Sequence, residues 1–186
     1  QMLNFGAPAN DSLFNQKNLY ENGFLNSIGI KDFDGKKFNK IIGWFPTYRK
    51  QKKSNVGYLS QHKFPLPILN SVKELNQLND ILMKNNCLML IRFHHAALLP
   101  DNIAMLYSHI VLLDNEETLI QCDMTFTDLL ASLDCLITDY SSCYYEFLLT
   151  DNPIGLAIDD FEEYSRHTKF AFNYFDVVKG AYMRTF

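Results

Sequence analysis

The stretch Asp134-Cys135-Leu136-Ile137-Thr138-Asp139-Tyr140-Ser141-Ser142 decides how this chain is read. A short apolar run, Cys135 to Ile137, passes directly into a turn of acidic, hydroxyl and aromatic residues. Beyond the turn, Cys143 to Thr150 reads as a helix, with Ser141 or Ser142 as its cap. Strand, turn and helix in that order form the building block of a parallel sheet with right-handed crossovers.

The same alternation extends in both directions. Upstream, Ile41-Ile42-Gly43-Trp44-Phe45 is apolar throughout and stops at Pro46, the pattern of a strand buried on both faces. Ser71 precedes a helix in which Val72, Leu75, Leu78, Ile81 and Leu82 share one face, and Glu74 predicts a capping box. Asn85-Asn86 ends that helix, and Cys87–Phe93 and His109–Leu113 read as the second and third strands. Thr125 or Thr127 opens a helix through Leu133, and Asp134–Thr138 is the fourth strand. Downstream, Asp151-Asn152-Pro153 turns into a fifth strand, Ile154–Ile158, and aromatic-rich helical pieces finish the chain. Residues 1–40 read as a linker segment with a short helix around Ser12–Ile28. Residues 41–186 read as one α/β domain, a Rossmann-like parallel sheet with helices on both faces.

Composition agrees with one packed domain. A chain of 186 residues that is 47% hydrophobic can bury a sizeable core and is not disordered. With 17 Lys+Arg against 21 Asp+Glu the net charge is −4, which argues against nucleic acid as a partner. Cys87, Cys122, Cys135 and Cys143 form no CxxC pair and match no zinc spacing. They read as reduced thiols of a cytoplasmic protein, with no metal and no cofactor expected. No apolar run reaches the roughly 18–20 residues of a membrane span. Gln1 to Gly6 lacks the basic and apolar regions of a signal peptide, and Gln1 in place of Met suggests the cut edge of a longer chain.

In a sheet of this kind ligands bind beyond the carboxyl ends of the strands. After the first strand comes Pro46-Thr47-Tyr48-Arg49, followed by Lys50, Lys52 and Lys53. Arg49 lies nearest the strand, where a planar guanidinium can clamp phosphate oxygens, while the lysines read as a solvated loop. After the second strand comes Arg92-Phe93-His94-His95. Side chains two apart share a face, so Arg92 and His94 point the same way, and an imidazole there suits a general acid or a donor to phosphate. Adjacent histidines point apart, which argues against a metal pair. After the fourth strand, Thr138, Asp139, Ser141 and Ser142 bring polar groups and unpaired N–H groups to a helix N-terminus, a seat for phosphate. Glu146, one helical turn on, would face the same cleft and accept from ribose hydroxyls.

These strand ends, in order, resemble the CDP-glycerol glycerophosphotransferases of teichoic acid and capsular polymer synthesis, which are similar to two-domain glycosyltransferases of the GT-B type. The family's opening Gly-Tyr-Pro-Arg-Asn-Asp segment appears as Gly6-Ala7-Pro8-Ala9-Asn10-Asp11. Its Ala-Pro-Thr-Phe-Arg appears as Phe45-Pro46-Thr47-Tyr48-Arg49, and its Lys-x-His-Pro as Arg92-Phe93-His94-His95. Its longest signature matches Asp128 to Ser142, continuing to Glu146-Phe147 and Asn152-Pro153-Ile154. The sequence departs from the pattern at Ala9, His95 and Lys179, where the family has Arg, Pro and Pro.

The resemblance implies a donor-nucleotide-binding domain, the C-terminal half of a two-domain transferase. His94 and the Ser141-Ser142 turn would hold the pyrophosphate of a CDP-activated donor, with Arg49 and Arg92 assisting. A polyol phosphate would pass to a polymer or lipid-linked acceptor. The base that activates the acceptor would sit on the N-terminal domain, so this chain would bind donor without completing catalysis. Membrane association would be peripheral, at the cytoplasmic face and through other parts of the protein. Two rival expectations are a GT-B glycosyltransferase using a nucleotide sugar and a non-catalytic module that binds nucleotide or polymer.

Overall fold

The computed structural model describes residues 8–14, 18–30, 37–47, 64, 66–93, 107–113, 116–178 and 181–183. Its centre is one sheet of six strands: β1 (Lys40–Phe45), β2 (Cys87–Arg92), β3 (Ile110–Leu113), β4 (Cys135–Thr138), β5 (Ile154–Ala157) and β6 (Ala181–Met183). The spatial order is β3-β2-β1-β4-β5-β6, and every pairing is parallel. This is the doubly wound order of Rossmann sheets, in which the chain reverses its direction of travel between β1 and β4. The Rossmann-like expectation is borne out.

Period-2 side-chain alternation sorts the strands' residues between two cores. From β2, Leu88 and Leu90 join the core that holds Phe45, Leu130, Leu136 and Phe147. Met89 and Ile91 join the opposite one, with Trp44, Leu75 and Leu82. Helices therefore cover both faces: α2 (Val72–Lys84) packs on one, and α4 (Phe126–Ala131) and α5 (Cys143–Phe147) on the other. Each fully buried Leu, such as Leu75 or Leu88, contributes about 1.5–3 kcal/mol relative to exposure. Gly43 has a local reason. A Cβ there would overlap the Leu133 side chain, so glycine lets the chain after α4 settle against β1.

Side chains near the helix starts satisfy main-chain donors that the helices leave free. Thr125 and Asp128 form a reciprocal capping box, with Thr125 N donating to Asp128 Oδ2 at 2.8 Å and Asp128 N to Thr125 Oγ1 at 3.1 Å. At α2 only half of the expected box forms. Ser71 Oγ accepts from Glu74 N at 3.3 Å, but Glu74 Oε2 accepts from Asn70 N, one residue further back. Asp134 ties two strand starts together, accepting from Lys40 Nζ and from Ile41 N, both at 2.8 Å.

The structure corrects several expectations. The helix around Ser12–Ile28 is two short pieces, a 3-10 helix at Pro8–Phe14 and α1 (Phe24–Ser27). Their Leu13, Phe24 and Leu25 are buried in the main core. Ile81 falls on the apolar face of α2 by spacing but is 59% exposed, because Leu75 and Leu82 alone are buried there. The helix Cys143–Thr150 is α5 followed by a 3-10 turn, Leu148–Thr150, and Ser142 stands at its N-cap without a side-chain cap bond. Two elements are additional: α3 (Glu117–Gln121), and β6, which comes after α6 (Phe161–His167) and α7 (Tyr174–Val177). All four cysteines are free thiols. Cys143 is buried and the other three are half-buried.

Candidate functional site

Parallel pairing brings the carboxyl ends of β1, β2 and β4 to one edge of the sheet, with Phe45 level with Thr138. Arg49 and His94, with His95, lie outside the described residues. The described part of the site is the turn after β4 and the segments that pack on it.

Thr138 ends β4 completely buried. Its Oγ1 donates to the carbonyl of Phe45 at 2.9 Å, stitching the two strand ends together. Asp139, 1% exposed, directs its carboxylate across the gap to β1. Thr47 N donates to its oxygens at 2.9 and 3.0 Å, Thr47 Oγ1 at 2.5 Å, and Tyr140 N at 2.6 Å. Both side chains are thus committed to protein groups. Arg92, at the end of β2, lies over the Phe126 ring at 4.3 Å and donates Nη2 to Glu116 Oε1 at 2.8 Å.

Ser141 and Ser142 remain at the surface of the turn, half-buried and exposed respectively. They line an open cleft of about 240 Å³. One wall is the turn and the start of α5, with Tyr145; the other is the segment after α6, with Lys169, Phe170 and Phe172. Tyr145 and Phe172 meet edge to face at 6.2 Å. Two serines, one lysine and aromatic rings therefore line one small space, residue types that suit an anion joined to a ring or carbon chain. Glu146 is half-buried on α5 and does not line this cleft.

An aromatic cluster holds the second wall in place. Tyr140 stacks on Tyr164 with centroids 3.9 Å apart, and its hydroxyl donates to Asp160 Oδ1 at 2.8 Å. Tyr174 packs edge-on against Tyr140 and donates its hydroxyl to the carbonyl of Asp139 at 2.9 Å. Phe161 and Phe170 stack at 5.9 Å beside them. Lys169 is not among the candidates that strand ends and turns single out. The available signal is the density of aromatic residues from Phe161 to Phe175, which marks a segment that must pack on something apolar.

Two titratable groups are set aside by their surroundings. Burial pushes the Cys143 thiol above its ordinary value, against the lowering effect of hydrogen bonds from Ser141 and Thr138, so it stays protonated and is a poor nucleophile. Burial lowers the pKa of His109, which precedes β3 at the amino-terminal edge of the sheet, away from the cleft.

A family model described as CDP-glycerol:poly(glycerophosphate) glycerophosphotransferase matches residues 1–186. Among curated proteins the chain is similar to a teichoic acid glycerol-phosphate primase of Bacillus spizizenii, 28% identical over 183 residues, covering 96% of this chain and 39% of the primase. It is also similar to the teichoic acid poly(ribitol-phosphate) polymerase of the same organism, 26% identical over 180 residues, covering 97% of this chain and 26% of that protein. Among solved structures it resembles the wall teichoic acid polymerase TagF with a TM-score of 0.64 at 24% identity, covering 97% of this chain and 39% of that one. The chain thus spans 26% to 39% of the length of these curated relatives.

Proposed function

The chain belongs to the CDP-glycerol:poly(glycerophosphate) glycerophosphotransferase family, and from that premise we propose that it is the donor-nucleotide-binding part of a transferase that moves a polyol phosphate from a CDP-activated donor to a growing cell-surface polymer. The observation that carries this reading is the cleft at the carboxyl end of β4, whose lining includes Ser141, Ser142 and Lys169.

The chemistry demands such a seat. The acceptor hydroxyl attacks the phosphorus that bears the polyol, a new P–O bond forms, and the bond from that phosphorus to the bridging oxygen breaks. CMP departs with the negative charge, and the acceptor proton passes to a base on another part of the enzyme. O–H donors and cations positioned on the pyrophosphate before reaction stabilise the charge as it develops. Ser141, Ser142 and Lys169 fill that role, joined by Arg49 and by His94 as donor or general acid to the leaving group. The rings of Tyr145 and Phe172 supply apolar surface beside the anion. The acceptor is a polymer or lipid-linked chain held by the remainder of the enzyme. No helix among the described residues is long and apolar enough to cross a membrane.

Calorimetric titration of the 186-residue chain with CDP, CDP-glycerol, UDP and GDP tests the reading. CDP and CDP-glycerol should bind in preference to the other two. Preference for UDP or GDP would instead assign a nucleotide-sugar donor, and absence of binding by all four at millimolar concentration would count against a donor site in this chain.

A further inference from the structure

Beyond β1 and β4 the strand order reverses, and sheets of this order open a crevice at that point. Here the Asp139 side chain bridges the crevice just beyond the Thr138–Phe45 bond. Asp139 comes directly after β4, Thr47 stands two residues past β1, and they are 92 residues apart in sequence. The Asp139 carboxylate accepts the main-chain N–H and the hydroxyl of Thr47, and also Tyr140 N from its own turn. An ionised carboxylate only accepts, and charge-assisted bonds to a buried one are costly to lose, since an unmatched donor or acceptor is left behind. The carbonyl of Asp139 in turn takes the Tyr174 hydroxyl.

We propose that Asp139 is a positioning residue that locks Pro46-Thr47, directly after β1, to the Ser141-Ser142 turn, so that the turn lining the cleft is held rigidly against the end of β1. The purpose assigned to that turn rests on the donor-site reading; the coupling itself does not need ligand. The pattern of donors makes the proposal specific. Asn at 139 keeps one acceptor oxygen for Thr47 Oγ1 and Tyr140 N but turns an amide donor toward Thr47 N. Val at 47 keeps the N–H and loses the hydroxyl, while Ser keeps both.

Residue-resolved hydrogen exchange on the 186-residue chain, without nucleotide, tests this. The probes are the amide of Thr47 and those of Tyr144 and Tyr145, which donate to the carbonyls of Ser141 and Ser142. Asp139→Asn and Thr47→Val should each raise exchange at both places by about tenfold or more. The amides of Leu88 to Ile91 in β2 should keep their wild-type rates, and Thr47→Ser should behave as wild type throughout. The decisive result is Thr47→Val acting on Tyr144 and Tyr145, which needs the Asp139 bridge. Unchanged exchange there, or an equal rise in β2, would overturn the proposal. If Asp139→Asn fails to fold, the Thr47 pair carries the test alone. Failure of CDP to bind would sink the donor reading and leave this result standing.

Discussion

Tyr174 hands its phenolic hydrogen to the main-chain carbonyl of Asp139 at 2.9 Å, so a residue of α7 completes the hydrogen bonding of the turn after β4. Tyr174→Phe keeps the ring and removes that hydrogen bond. The expected loss is about 1–2 kcal/mol of unfolding free energy, read by urea denaturation. Tyr174→Ala also removes the ring from the Tyr140 cluster and should cost about 3–5 kcal/mol. Equal effects from both variants would show that the hydroxyl, not the packing, dominates.

Gly43→Ala forces a methyl group into the Leu133 side chain. Overpacking of this kind costs about 1–3 kcal/mol. Combining it with Leu133→Ala should be less damaging than the sum of the two single changes, because one void accepts the other's excess. Strict additivity in denaturation midpoints would mean the two positions do not touch.

The box at the start of α4 offers a second double-mutant cycle. Thr125→Ala should cost about 1 kcal/mol. Asp128→Ala should cost at least as much, since Asp128 is buried and accepts from both Thr125 N and Thr125 Oγ1. The double variant should lose less than the sum, and full additivity would contradict a reciprocal box.

Cys143 predicts a pH dependence whose sign is fixed. Its folded pKa lies above the ordinary 9.0, first because of burial, so above about pH 9.0 the unfolded chain releases a proton that the folded chain keeps. The folded state then binds more protons, and stability falls as pH rises through that window up to the folded pKa. Cys143→Ala should flatten that part of the profile relative to wild type. Native Cys143 should also resist a thiol reagent at pH 8 that labels Cys87 and Cys122, which are half-buried; rapid labelling of Cys143 would argue for local opening of α5.

At the cleft, Lys169→Ala should weaken CDP binding about tenfold, and Lys169→Arg should retain most of it, as measured by calorimetry. Ser142→Ala should weaken it less, because a neutral donor is lost in place of a charged one. CDP affinity indifferent to Lys169 would move the anion out of this cleft.

Much of the sheet is legible in the sequence because its strands are short apolar runs that nothing else explains. Ile41 to Phe45 and Cys87 to Arg92 appear where expected, to within a residue. Ile81 departs from expectation because helical spacing says which residues share a face, and the width of the contact with the sheet decides which of them are covered. The three residues Ala181 to Met183 carry no strand signal of their own. Their conformation comes from pairing with β5, which supplies the missing partners.

The candidate site divides along the same line. The apolar periodicity and turn residues of the chain carry the parallel α/β architecture and point to the Ser141-Ser142 turn, since both are local properties of neighbouring residues. The commitment of Asp139 to Thr47, and the sharing of one cleft lining by Lys169 and the serines, are not local. They arise because β1 and β4 lie side by side at the reversal of strand order, and because the rings of Tyr140, Tyr164 and Tyr174 fold the last segment back onto the turn. Contacts of that kind depend on which distant surfaces fit together, and burial of aromatic area with satisfaction of buried polar groups makes that choice once the chain is folded.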